Sequence, residues 1–112
     1  MLMGPVKAAH VPTVLSASQI LAAEKWERDF QNAQRLDNAG KRMTASDNRR
    51  AAQRAMSPTD VAILDAISGR GTSIATLAQK TGRSPGELAS MYSGATGRLA
   101  AFYESQRSQD HG

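Results

Sequence analysis

Apolar and polar positions divide this chain into three regimes. From Ser16 to about Leu36, Ala22, Ala23, Trp26, Phe30 and Ala33 fall on one arc at helical spacing. Glu24, Lys25, Arg28, Gln31 and Arg35 fall on the opposite arc. Ser16-Ala17-Ser18-Gln19 opens the segment with the residues of a capping box, and Asp37-Asn38-Ala39-Gly40 closes it. The spacing predicts an amphipathic helix over 16–36, with Glu24 and Arg28 as an i,i+4 pair.

The C-terminal half repeats one start signal. Ser57-Pro58-Thr59-Asp60 gives a cap, a proline in the first turn and an acid near the helix N-terminus; Val61, Ile63, Leu64 and Ile67 follow, and Gly69 and Gly71 stop the run. A second short helix is expected after Ser73, carrying Ile74, Leu77 and Ala78 and ending at Gly82. Ser84-Pro85-Gly86-Glu87 starts a third, with Leu88, Met91, Tyr92, Ala95, Leu99, Phe102 and Tyr103 at three- and four-residue spacing. Gly94 and Gly97, beside Ser93 and Thr96, interrupt it at about 1 kcal/mol per glycine relative to alanine, which suggests a kink, a close approach or a loop break. Residues 105–112 read as a polar tail.

The remaining stretches lack a period. Residues 37–57 hold Lys41, Arg42, Arg49, Arg50 and Arg54 against Asp37 and Asp47, with Met43 and Met56 as the only bulky apolar residues. They read as a basic linker with marginal helix from near Ser46. Gly4, Pro5 and Pro12 make residues 1–15 an extended, mobile arm. The expected fold is all-α: an amphipathic N-terminal helix, a basic linker and a C-terminal three-helix unit over 58–104.

Composition then limits the size of the core. Leu, Ile, Val and Phe number only 18 of 112 residues, and 19 more are alanine. That allows one small core and excludes two separate ones. Nine of the 18 fall within 58–103, so the C-terminal unit is the place for it. With no cysteine, a disulfide frame and a thiolate site are excluded. No run is long enough to span a bilayer, and the N-terminal stretch is too broken by proline for a secretory signal, so a soluble cytoplasmic protein is expected. His10 and His111 stand alone, no nucleophile–base pair is apparent, and Gly69-Arg70-Gly71-Thr72 follows no strand. Enzyme activity, a metal and a cofactor are therefore not expected.

One spacing carries a function. Ala78 lies four residues before Gly82, with Leu88 six and Met91 nine residues after it. This resembles the helix-turn-helix of DNA-binding proteins. Ala78 is small where the third helix crosses, Gly82 can take positive φ in the turn, and Leu88 and Met91 bury the inner face of a recognition helix. Thr81 and Arg83 depart from the pattern, which often has aliphatic residues there. The overall layout also resembles an uncharacterised family of alphaproteobacterial helix-turn-helix proteins, and the three-helix unit is similar to the DNA-binding end of bacterial sigma factors. The resemblance implies that Ser84–Arg98 enters a major groove with Ser84, Glu87 and Ser90 outward, and that Arg70, Lys80, Arg83 and Arg98 meet phosphates.

Charge shifts the emphasis. Net charge is +1 over 1–36, +3 over 37–57 and zero over 58–112, so Arg49, Arg50 and Arg54 of the linker are candidate phosphate contacts. The expected outward positions Gly86, Glu87, Ser90, Ser93, Gly94 and Gly97 include no Arg, Lys, Asn or Gln, so sequence specificity requires a dimer or a partner. Trp26 and Phe30 serve either as core or as a partner or dimer surface. The expected protein is a DNA-binding transcriptional regulator of bacterial or phage origin. Its partners would be double-stranded DNA and a second copy or a transcription protein, with no membrane. The alternative is a protein–protein adaptor of the transcription machinery, or a phage assembly or packaging component, reusing the same helical unit.

Overall fold

Short polar side chains set the helix starts. In α1 (Ala17–Asn32) the Ser16 hydroxyl accepts from the Gln19 N–H at 3.2 Å, and the Gln19 side chain accepts from the Ser16 N–H at 2.8 Å. Asn38 caps α2 (Ala39–Gln53) through the Lys41 N–H at 2.9 Å. A Ser57/Asp60 capping box starts α3 (Pro58–Leu64), and Ser73 caps α4 (Ile74–Thr81). The Glu87 N–H donates to the Ser84 hydroxyl at 3.1 Å at the head of α5 (Pro85–His111). This computed structural model describes residues 14–111. The expected arm lies outside the described residues up to Thr13, and its last residue, Leu15, packs against the core. Among the described residues there is no strand, so the fold is all-α, and no helix is long and apolar enough to cross a membrane.

The expected basic linker is instead α2, a packed helix. Its Ala45 and Ala52 are buried, and α2 lies against α1. Small side chains let two helices approach closely without a leucine stripe, so the small number of large apolar residues was no obstacle. The expected polar tail is helical too, since α5 runs unbroken through Gly94 and Gly97 to His111. Here α1 supports the weak stretch: Gln19 Nε2 donates to the Ser93 carbonyl at 2.9 Å and to the Thr96 hydroxyl at 3.3 Å. Thr96 itself is buried and donates back to the Tyr92 carbonyl at 2.9 Å. α1 ends at Asn32 rather than near Leu36, and its ion pair is Lys25–Asp29 at 3.3 Å in place of the expected Glu24–Arg28.

After Leu64 the third helix widens into a π-helical turn, Asp65–Gly69, in which the Arg70 N–H reaches back to the Asp65 carbonyl at 2.8 Å. That turn presents Asp65 to the first two helices. Trp26 Nε1 donates to its carboxylate at 2.9 Å, and the Arg49 guanidinium binds both oxygens at 2.9 and 3.1 Å. One core therefore joins α1, α3 and α5 around Trp26, Leu64, Tyr92, Ala95 and Leu99. The N-terminal helix is part of this core and is not held apart from it. α4 is the exception: none of its residues is buried.

Gly69 closes the contact between the π turn and α1. A Cβ there would lie 2.7 Å from the Phe30 ring, closer than real contacts allow. Gly69→Ala is expected to lower unfolding free energy in denaturant by about 1–3 kcal/mol, as overpacked core sites do. Trimming the ring with Phe30→Leu in the same chain should recover part of that loss. Purely additive effects of the two changes would show that the Gly69–Phe30 contact is not the cause.

Candidate nucleic-acid interface

The turn between α4 and α5 is set by one residue. Gly82 adopts φ +75°, a left-handed conformation that is cheap for glycine, and its N–H caps the Ala78 carbonyl at 2.9 Å. The Thr81 hydroxyl donates to the Leu77 carbonyl at 2.8 Å and accepts from the Arg83 N–H at 3.3 Å. The departure from an aliphatic residue at Thr81 thus becomes a polar brace for the turn. Every residue from Gln79 to Glu87 is exposed, Leu88 and Ala89 turn inward, and Ser90 is exposed again.

The outward face is shorter than expected. Gly86, Glu87 and Ser90 face solvent, while Ser93, Gly94 and Gly97 are half-buried beside α1 and its Gln19. Of the expected outward positions, only those on the first two turns of α5 remain open. Lys80 and Arg70 are exposed, and the Arg70 guanidinium stands 5.9 Å from the centre of the Phe30 ring. Arg83 is exposed but paired with Glu87 one turn on. Arg50 makes a loose exposed pair with Asp47 at 3.7 Å, and Arg54 is exposed. Among the described residues, Arg54, Arg70 and Lys80 have no ion-pair partner.

Two expected phosphate contacts are engaged in ion pairs within the fold, Arg49 largely covered and Arg98 with its side chain 54% exposed. Arg49 is committed to Asp65, and its guanidinium stacks 4.9 Å from the Trp26 ring and 5.2 Å from the Phe30 ring, with the side chain only 16% exposed. Arg98 binds Asp60 through both oxygens at 2.8 and 2.6 Å, tying α5 to the start of α3. The hydrogen bonds from Arg98 hold the Asp60 carboxyl below the usual carboxylate range, against the opposing effect of burial, and the same pairing raises Arg98. Trp26 is wholly buried, so it is core and not a partner or dimer surface. Phe30 is half-buried between Gly69 and the two guanidiniums, which likewise removes it from a free face.

Some features were not foreseen. Thr76 and Gln79 are exposed on α4 next to Lys80; the polar positions of that short helix were the signal. Asp60 as the partner of Arg98 had no sequence signal, being 38 residues away. An apolar groove of about 360 Å³ opens between α3, α4 and α5, lined by Ile63, Leu77, Leu88 and Met91 with Arg83 at its edge. No group of three metal-ligating side chains occurs among the described residues. No protein-family model, curated protein or solved structure matches the chain.

Two measurements check these assignments. Arg49→Ala should destabilise the fold by about 3 kcal/mol or more because it strands the Asp65 charge, whereas Arg50→Ala should stay within about 0.5 kcal/mol in the same denaturant titration. Because the folded-state pKa of Asp60 is lowered, its contribution is present above the ordinary carboxylate value near ~4 and is lost as pH falls through the folded value. Asp60→Asn should therefore cost about 1–3 kcal/mol at neutral pH, with the gap to the parent closing below about pH 4. A gap independent of pH would show that Asp60 acts through packing alone.

Proposed function

We propose that the chain is a DNA-binding transcriptional regulator that works in the cytoplasm, without enzyme activity or a cofactor. One observation carries this reading: Gln79–Glu87 forms an uninterrupted exposed surface around the Gly82 turn, with the first turns of α5 projecting beyond it. In this reading α4, the turn and α5 act as a helix-turn-helix, α3 and its π turn being the supporting helix. Ser84, Glu87 and Ser90 face base edges. Gln79 supplies the amide that the first turns of α5 lack, since glutamine can pair bidentately with adenine. Lys80 and Arg83 meet phosphates locally, and Arg50, Arg54 and Arg70 provide further positive charge. A two-turn reading surface gives one copy little discrimination, so specificity comes from a second copy or a transcription protein.

Retardation of duplex DNA over a salt series tests it. The parent should bind with a steep salt dependence. Lys80→Ala with Arg83→Ala should reduce the slope of log affinity against log salt by about 2, consistent with the loss of two phosphate contacts. Arg50→Ala with Arg54→Ala should weaken binding to all sequences alike. No retardation at about 50 mM salt, where phosphate contacts are least screened, would overturn the reading. The groove beside Leu77 favours a second reading, a protein–protein adaptor or phage assembly component. That reading expects Leu77→Glu to abolish partner association while leaving any DNA retardation unchanged.

A further inference from the structure

A second groove, of about 260 Å³, lies between α1 and α5 and has a different character. One of its lining residues, Tyr103, lies 16 residues beyond Glu87 along α5, or about 24 Å at the helical rise. Ala22 and Ala100 give it a buried apolar floor, with the exposed Leu21 at its side. Lys25, Arg28 and Arg107 line it with Glu104, and Asp29 stands beside Lys25, so the charged groups about the groove balance at +1. Lys25 is partly engaged, its Nζ lying 3.3 Å from Asp29 and 5.1 Å from the centre of the Tyr103 ring. Among the described residues Arg28 and Arg107 have no ion-pair partner.

Tyr103 adds an independent observation. The residue is 9% exposed and lines this groove, yet among the described residues its hydroxyl has no hydrogen-bond partner. The other buried tyrosine, Tyr92, meets Ser68 at 2.7 Å. Leaving a buried donor unpaired is costly, so an orphan hydroxyl on a residue that lines a groove calls for an acceptor. Burial first, and the Asp29 charge second, push the phenol well above its ordinary range, which keeps it a proton donor. Two guanidiniums without ion-pair partners, a shared ammonium and a hydroxyl donor are complementary to an anion with several oxygens.

We propose that the α1–α5 groove binds a small phosphate monoester, its oxyanion held by Lys25, Arg28 and Arg107 and accepting a hydrogen bond from the Tyr103 hydroxyl. A carboxylate has two oxygens, too few for three cationic side chains and a hydroxyl. A bare phosphate would leave the floor of Ala22 and Ala100 uncovered, whereas an ester places its organic body there. This site stands apart from the Gln79–Glu87 surface and does not rest on the DNA reading.

Glycerol 3-phosphate is the probe, titrated into the full chain at constant ionic strength and followed by backbone amide NMR shifts. Saturable shifts confined to 18–28 and 100–107 are expected. Arg28→Gln with Arg107→Gln, both exposed positions, should weaken binding by about tenfold or more, as loss of charged hydrogen bonds does. Tyr103→Phe keeps the ring in the core and should weaken it by about tenfold. Absence of saturable shifts, or parent-like binding by both variants, would overturn the proposal. So would displacement of the ester by short duplex DNA at equal phosphate concentration, which would assign the groove to the nucleic-acid backbone, and so would equal binding of glycerate.

Discussion

The carboxylate of Asp65 is the point on which the arrangement of the helices depends. It accepts from the indole of Trp26 in α1 and from both ends of the Arg49 guanidinium in α2, so a single side chain fixes three segments of backbone. An ion pair away from bulk water repays its desolvation only when the remaining hydrogen-bonding capacity is satisfied and the geometry is good. Both conditions are met: the pairing is bidentate, and the flat face of the guanidinium lies against two aromatic rings. The π turn is what makes this possible. Its extra residue per turn interrupts the regular α spacing after Leu64 and sets Asp65 and Gly69 against Trp26 and Phe30.

Legibility in the sequence followed the range of the interactions. Caps and stops act within three or four residues, so the starts at Ser16, Ser57, Ser73 and Ser84 and the turn at Gly82 could all be read locally. α2 could not. Its helical face is alanine, its charges look solvated, and the residue that fixes it, Arg49, finds its acid 16 positions on and its rings about 20 positions back. An arginine in a basic run carries no local mark that it will be drawn into a half-buried ion pair. Gly94 and Gly97 misled in the other direction, because the support from Gln19 comes from 74 residues away. In the candidate interface, the exposed turn was legible, and the withdrawal of Arg49 and Arg98 into ion pairs was not.

α5 serves both proposed surfaces. Its first turns are free and present the Gln79–Glu87 face, its middle is covered by α1 through Gln19, and its later turns form one wall of the cationic groove. The chain's surplus positive charge is thereby divided. Two arginines stabilise the fold, others stand singly on the surface, and three cations converge where a buried phenol lacks a partner. Net charge by segment could not distinguish these fates, since a buried pair and a free cation contribute equally to the count.

α4 has no fully buried residue: Ile74, Leu77 and Ala78 pack half-buried against the core, and Leu77 also lines an open groove. It packs chiefly on α5 and takes no part in the Asp65 junction. Its detachment would leave the junction intact, and its free energy of local opening is expected to lie below that of global unfolding. Backbone amides of Leu77 to Gly82 would exchange with solvent far faster than those of α1 or the middle of α5. A surface built on such a segment is ordered partly by whatever it touches, so the conformational entropy of eight residues enters its binding equilibrium. Recognition would then weaken on warming at temperatures where the rest of the molecule is still fully folded.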